Sequence, residues 1–444
     1  MADPPLAALI MAGGLGTRMR SSVPKHFHPI LGRRLVDWVI DSAVATGAEP
    51  VVVVASPSGR DQFEEAPVTV AVQAEPLGTG DAARSARAAL AGYSGDVLVL
   101  SGDTPLLTSE LLGALLETHR SEQAAATILT SKPADPRFYG RIVRDAGGAV
   151  VRIVEGTDAA PEELEIAEIN SSIYAFRSDA LWPALERLQP KNVQGELYLT
   201  DAIAVLVEAG ERVAAHVAPD PDETEGVNTR VELALAAAVL RDRINERHML
   251  AGVTIVDPTA TWIDHSVEIA EDVTINPFTV LRGRTRIGEG AEIHAHTVAV
   301  DAEIGKRAVV GPFCYLRPGT SLGESSKAGT YVEIKNSRIG DRTKVPHLSY
   351  IGDADVGEDS NIGAGAITAN LGHRPGEPKQ RTTIGNNVRT AIHNGFIAPV
   401  EVGDGAWIAA GSVITEDVPP GALAIARQRQ ENKEGYAARQ QPDE

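Results

Sequence analysis

The clearest pattern along this chain is a ladder of aliphatic residues spaced six apart in its C-terminal half. Ile269, Ile275, Leu281, Ile287 and Ile293 form one run, and Ile304, Val310, Leu316 and Leu322 a second. Ile339, Val345 and Ile351 make a third, and Val402, Ile408 and Ile414 a fourth. A helix repeats at about 3.6 residues and a strand at about 2, so neither accounts for this period. A parallel β-helix does: each hexad is a short strand and a corner, with the aliphatic side chain inward. Glycine often follows the aliphatic, as in Ile287-Gly288, Ile304-Gly305, Ile339-Gly340 and Val402-Gly403. That points to corners with backbone angles that glycine tolerates best. The ladder runs from about residue 253 to 425, with interruptions expected at 323–338 and 369–383. A β-sandwich with chance spacing is the competing reading.

The first half has a different rhythm. Residues 6–12, 50–55 and 96–100 are short, continuously apolar runs, and they read as buried parallel strands. Residues 35–46 and 81–90 read as helices between them, giving α/β patterning with a parallel sheet. Residues 229–250 contain no Gly or Pro and read as a long helix stopped at Gly252. It would connect two domains, 1–228 and 251–427. The polar residues 428–444 are expected to be a disordered tail.

Composition narrows the class. Aromatic residues are only 4% of 444, so the cores must be aliphatic, as a narrow β-helix interior requires. The net charge of −19 argues against a nucleic-acid binder, whose footprint is basic. An anionic substrate would need a local cluster of Lys and Arg against that mean field. Cys314 is the single cysteine, so no intramolecular disulfide is possible, which fits a reducing compartment. The first residues, MADPPLAALIMAGG, lack a basic segment followed by a long apolar core, so no signal peptide is expected. No apolar run reaches the ~18 residues of a membrane span. A cytoplasmic location without membrane or nucleic-acid partners follows as the expectation.

Candidate chemistry clusters at strand ends. Met11, Ala12, Gly13, Gly14 and Gly16 close the first strand, and Arg18 and Lys25 follow. Glycines there let backbone N–H groups approach phosphate oxygens, and the two cations suit a polyphosphate. Ser101-Gly102-Asp103 ends the strand at 96–100, at the sheet edge where ligands bind. Asp103 suits Mg²⁺, which takes one or two carboxylates plus substrate phosphates. A helix N-cap is the alternative for Asp103.

In this order, the segments GGLGTRMRSSVPK, QAEPLGTGDA, SGDTPLL, YGRIV, IVEGTDA, EINSSIYAF, NVQGELYLTD and EGVNTR carry a resemblance. The chain resembles the bifunctional bacterial N-acetylglucosamine-1-phosphate uridyltransferases/glucosamine-1-phosphate N-acetyltransferases over about residues 6–436. The resemblance implies a Rossmann-like α/β nucleotidyltransferase domain, a connecting helix and a left-handed parallel β-helix. It implies UTP and acetyl-CoA as co-substrates, Mg²⁺, and a homotrimer with acetyl-transfer sites between subunits. Gly13, Gly14, Arg18 and Lys25 would hold UTP phosphates, and Gln73, Gly78 and Thr79 would contact uracil. Asp103 and Asn228 would hold Mg²⁺. Gly140, Glu155, Asn170 and Asn228 would line the sugar site. In the second half His347 would be the general base. Arg317, Lys335 and Lys379 would hold the sugar phosphate, and Tyr350 and Asn361 the sugar. Asn370, Ala410 and Arg427 would contact acetyl-CoA.

The chain departs from the family in several places. Met11-Ala-Gly-Gly14 stands where Leu-Ala-Ala-Gly is usual, and Ser172 where glycine is usual. Asn370-Leu371-Gly372-His373 and Ala391-Ile392-His393-Asn394 depart beside the expected acetyl-CoA pocket. Two alternatives therefore stay open: a nucleotidyltransferase with an altered or inactive acyltransferase half, and a β-helix that serves only to trimerise the chain.

Overall fold

The computed structural model describes residues 4–14, 16–64, 66–136, 139–371, 376 and 378–440. It divides into two compact units, Met1–Leu240 and Arg241–Glu444.

Unit 1 is built on one sheet. Its strands are β1 (Leu6–Ala12), β2 (Pro29–Ile30), β3 (Arg33–Arg34), β4 (Val51–Ala55), β5 (Thr69–Val72) and β6 (Asp96–Ser101). β7 (Ala126–Ser131), β8 (Arg141–Arg144), β9 (Val150–Val154), β10 (Ile169–Arg177) and β11 (Val213–Val217) follow. The main order is β11-β7-β10-β6-β1-β4-β5, with β2 and β3 forming a separate hairpin. In the centre Ile10 stands level with Val53 on one side and Leu100 on the other. Alternate residues enter opposite layers. Leu9, Val52 and Val99 pack in one apolar cluster; Ile10, Val53 and Leu100 pack in another. Strands covered on both faces must be apolar throughout, which is why their sequences read as unbroken runs.

The expectation of a parallel sheet needs correction. β10 runs antiparallel to both β6 and β7, so the sheet is mixed. The strand at 96–100 is present, but its return partner EINSSIYAF carries no short-range signal of direction. The predicted helix at 81–90 is also displaced: α2 spans Thr79–Ser85 and gives way to turns.

The helix Arg230–Leu250 crosses the boundary between units. Val227, Ala236 and Leu240 pack with Met19, Leu35 and Leu106 in unit 1. Asn245, in unit 2, donates to Pro258 O and Thr261 O at 2.9 and 3.0 Å.

Unit 2 is a left-handed parallel β-helix. Ile269 pairs with Ile287, which pairs with Ile304, each partner 17 or 18 residues further on. Two more faces repeat this: Ile275–Ile293–Val310–Ala328–Val345 and Leu281–Ala299–Leu316–Ile334–Ile351. All of these aliphatics except Ile269 are buried. Truncating one such isoleucine to alanine would cost about 2–5 kcal/mol. Corner hydroxyls close the turns: Thr279, Thr285 and Thr297 each donate to the carbonyl three residues back at 2.7 Å.

Two expectations about the ladder are corrected. Residues 323–338 do not interrupt it. Ala328 and Ile334 occupy the inward positions, and their strands pair with both neighbours in register. A small alanine hid the period. The stretch 369–383 is a true insertion, because Val356 pairs with Ile384 across it; Gly372, His373, Arg374, Pro375 and Glu377 lie outside the described residues. The glycines after the aliphatics also have another cause. None of Gly288, Gly305, Gly340 and Gly403 has left-handed backbone. A Cβ on Gly288 would lie 2.7 Å from Lys306 N, and on Gly340 2.6 Å from Gly357 C. They are there because adjacent coils stack too closely for a side chain. Left-handed corners fall at other positions, on glycines such as Gly290 and Gly319 and also on Asp272, Arg307, Ser325 and Arg342.

Of the expected tail, residues 428–440 are exposed and hold a short turn at Ala438–Gln440, while 441–444 lie outside the described residues.

Candidate active sites

In unit 1 the loop after β1 and the loop after β6 meet. Gly102 N donates to Met11 O at 3.0 Å, and a Cβ on Gly102 would crowd both that oxygen and His26. Ala12 ends β1 beside them, and Gly13 and Gly14 follow. Gly16 turns with φ +61, and a Cβ there would overlap Lys25. The sequence thus brings a glycine loop, a lysine and an acidic strand end together by close packing.

Four expected residues converge at this point. Lys25 Nζ bonds the Asp103 carboxylate and reaches Asn228 Oδ1 at 3.1 Å. Arg18 Nη2 donates to the same Asn228 oxygen at 3.0 Å. Ser101 Oγ donates to Asp103 Oδ1 at 2.5 Å. Asp103 is only 7% exposed. Burial alone would raise its carboxyl; Lys25, His26 and the bonds from Lys25 and Ser101 outweigh that and lower it to about 2. It is not a helix cap: Thr108 caps α3 (Ser109–Ser121). Asn228 is fixed from behind, because Glu232 accepts from the N–H groups of Asn228 and Thr229. Asp103 and Asn228 offer one carboxylate and one amide oxygen, hard donors that suit Mg²⁺ completed by water and substrate phosphates. No larger His/Cys/Asp/Glu cage exists among the described residues.

Gln73, Gly78 and Thr79, expected to contact the base, lie together. Gln73 Nε2 donates to Gly78 O at 3.1 Å, and its Oε1 lies beneath Gly13. Gly78 has φ +112, and a Cβ there would lie 2.5 Å from Leu197 O, so a side chain is excluded. Thr79 Oγ1 accepts from Leu199 N at 2.9 Å.

Next to it lies a cavity of about 360 Å³ lined by Met11, Arg18, Thr79, Glu155, Ser172 and Thr200, among others. Glu155 accepts from Thr200 Oγ1 at 2.9 Å. Burial raises its carboxyl, and Asp201 and Asp158 raise it further. A Cβ on Gly140 would touch Glu155 Oε2 at 3.4 Å, and Gly140 O accepts from Asn170 N at 2.9 Å. Asn170 itself is 2% exposed. Thr200, Tyr198 and Glu196 also line this cavity. Sequence reasoning passed over them, although the segment NVQGELYLTD contains all three.

Unit 2 holds the second set. Arg317 N donates to Ile334 O at 2.8 Å, which stacks Arg317 against the coil carrying Lys335. Arg317 Nη1 donates to Glu333 Oε1 at 2.8 Å, and Glu333 stands in register with Tyr350. Hydrogen bonding and like charge from Lys379 hold Lys335 below the usual lysine range. Lys335 feels the charge of both Lys379 and Arg317, and such a cluster of cations is suited to a phosphate. Beneath them Asp353 accepts from Asn336 Nδ2 at 2.5 Å and also from Asn370 Nδ2, which fixes Asn370.

The remaining expected residues are dispersed. His347 is exposed on a corner, in register with Thr330, and its ring bonds nothing among the described residues. Asn361 bridges Lys344 and Arg389 through its backbone. Arg427 is exposed and passes over Gly411, next to Ala410. Among the described residues, no hydrogen bond or ion pair ties His347, Asn361 or Arg427 side chains to the Arg317–Lys335–Lys379 cluster.

A mixed α/β sheet with a glycine loop and a lysine–aspartate centre, followed by a hexapeptide β-helix, defines a nucleotidyltransferase joined to an acyltransferase-type domain. Comparisons with known proteins agree. The family model for the MobA-like NTP transferase domain matches residues 8–195. The bifunctional protein GlmU of Streptomyces avermitilis is 48% identical over 99% of this chain and 95% of its own length. That of Caldanaerobacter subterraneus subsp. tengcongensis is 45% identical over 97% of each, and that of Mycobacterium marinum 45% over 98% and 93%. The chain belongs to the bifunctional GlmU family. It is a nucleotidyltransferase and an acetyltransferase. A nucleotidyltransferase with a silent β-helix is not favoured, because these bifunctional relatives align through both units.

Proposed function

We propose that this chain performs two successive steps of UDP-N-acetylglucosamine synthesis, one in each unit. Unit 2 transfers an acetyl group from acetyl-CoA to glucosamine 1-phosphate. Unit 1 then transfers the uridylyl group of UTP to the N-acetylated product. The convergence of Arg18, Lys25, Asp103 and Asn228 on one point is the observation that carries this reading.

In unit 1 a phosphate oxygen of the sugar attacks the α-phosphorus of UTP. The new P–O bond forms as the bond to the β-phosphate breaks, and pyrophosphate leaves. Such a displacement needs alignment and charge compensation more than proton transfer. The Gly13 and Gly14 backbone, with Arg18 and Lys25, grips the triphosphate. Gln73, Gly78 and Thr79 read the base, and Gly140, Glu155 and Asn170 shape the sugar end. Asp103 and Asn228 hold Mg²⁺, which when bound neutralises phosphate charge. Lys25 occupies the position between these two side chains in the structure, so it must yield it when nucleotide enters.

In unit 2 Arg317, Lys335 and Lys379 hold the sugar phosphate, and Tyr350 and Asn361 orient the ring. His347 takes a proton from the amine as nitrogen attacks the thioester carbonyl. The C–S bond then breaks and coenzyme A leaves as the thiol. A histidine serves as base near neutral pH. Asn370, Ala410 and Arg427 contact the coenzyme.

The functional unit is a homotrimer in the cytoplasm. Two observations support the trimer: the dispersed acetyl-transfer residues, and an exposed column of stacked rings. Phe278, His296, Phe313 and Tyr331 stack at 4.8, 4.6 and 5.2 Å, and Phe278 and Tyr331 are 57% and 58% exposed. Among the described residues no helix is long and apolar enough to cross a membrane, and the only cysteine of the sequence, Cys314, is a buried thiol raised to about 12.

The direct test is a substrate panel with purified protein. Pyrophosphate release should require UTP with N-acetylglucosamine 1-phosphate, and thiol release should require acetyl-CoA with glucosamine 1-phosphate. Preference for dTTP with glucose 1-phosphate, or no thiol release, would contradict the assignment.

A further inference from the structure

β10 carries three consecutive polar residues, Asn170-Ser171-Ser172, where its pairing with β7 slips between Asn170 and Ile173. The bulge sends the three side chains to different places. Asn170 is buried, and both ends of its amide are occupied: Nδ2 donates to Tyr174 Oη at 2.8 Å, and Oδ1 accepts from Ser172 N at 3.1 Å. Ser171 is buried too, and its hydroxyl donates to Leu129 O at 2.7 Å. Ser172 alone lines the sugar cavity. Its hydroxyl makes no hydrogen bond among the described residues.

Ser172 also stands at φ +62, left-handed backbone that costs a residue with a Cβ and that glycine adopts freely. Nothing in the bulge requires a side chain at this point, since the bond that holds the turn comes from the backbone N–H of Ser172. A strained residue with an unpartnered hydroxyl facing a ligand cavity is a pattern of functional sites.

We propose that Ser172 is a specificity-determining residue, its hydroxyl bonding the sugar of the hexosamine 1-phosphate. This rests on the cavity being the sugar site of the uridylyl-transfer unit. Asn170 holds the bulge, and the bulge delivers the Ser172 hydroxyl.

The test is steady-state kinetics of uridylyl transfer with Ser172→Gly and Ser172→Ala, together with thermal midpoints. Loss of one neutral hydrogen bond predicts a roughly three- to tenfold rise in KM for the sugar 1-phosphate in Ser172→Gly and Ser172→Ala, with KM for UTP unchanged. Ser172→Gly should also melt higher than the parent, because the left-handed strain is gone. Sugar KM unchanged in both Ser172 variants would overturn the inference while leaving the uridyltransferase reading intact. A parent protein that forms no UDP-sugar would overturn the functional reading and the inference together.

Discussion

The two units build their sites in opposite ways. In unit 1 several of the groups expected to act come from separate loops of one sheet and are already in contact: Lys25 on Asp103, and Arg18 and Lys25 on Asn228. In unit 2 only the phosphate end is assembled. His347 is exposed at the end of its strand with a ring that bonds nothing among the described residues, and Arg427 lies coils away near the C-terminal end. An α/β sheet gathers the C-terminal ends of its strands at one edge, so distant segments converge. A β-helix is quasi-one-dimensional, and each coil touches only its neighbours. Residues far apart along it can share a substrate only if another copy brings them together. The proposed trimer would complete the second site, whereas the proposed first site draws on one chain only.

Removing the acting groups should separate the two activities most sharply. Asp103→Ala should lower uridylyl transfer on the order of a thousandfold and leave acetyl transfer unchanged. His347→Ala should lower acetyl transfer by about 10²–10⁴-fold and spare uridylyl transfer. Paired assays of thiol and pyrophosphate release read both at once; loss of both activities in either variant would mean the halves are not independent. A smaller effect is expected at the phosphate end. Lys335→Ala should raise KM for glucosamine 1-phosphate about 10–100-fold with little change for acetyl-CoA. Equal changes in both would remove Lys335 from the sugar-phosphate role.

The smallest contrast concerns acid stability. Burial lowers His26, His28, His119 and His216 in unit 1, against His248 in unit 2 among the described residues. Each stays neutral in the fold below 6.5, while the unfolded chain takes up the proton. Stability is therefore lost as pH falls from about 6.5, down to about 4 for His26 and His248. His26 alone accounts for a loss on the order of 3 kcal/mol across that window. Glu155 and Asp201, both held above the usual carboxylate range, offset part of this. Calorimetry at pH 7 and pH 5 should show unit 1 melting earlier at the lower pH, with the β-helix transition shifting less. Equal shifts would remove the distinction.

The sequence disclosed these regions unequally. The β-helix was legible from Ile269 onward because one aliphatic per hexad must fill a narrow interior. Where Ala299 or Ala328 fills it, the period vanished from view and an insertion was inferred that is absent at 323–338. The glycines were legible as a signal but not as a cause, since coil-to-coil clearance has no signature in a single chain. In unit 1 the glycine loop, Lys25 and Asp103 were readable from order and spacing. The reversal of β10 was not, and neither was the bulge that buries Asn170 and presents Ser172, because both arise from pairing with β6 and β7.

The account turns on one site being complete in a single chain and the other needing a second copy. Both activities should be measured per subunit across a dilution series, with the oligomeric state read by light scattering at each concentration. The prediction is that acetyl transfer falls in step with the trimer while uridylyl transfer per subunit stays constant. Full acetyl transfer from a monomer would contradict it.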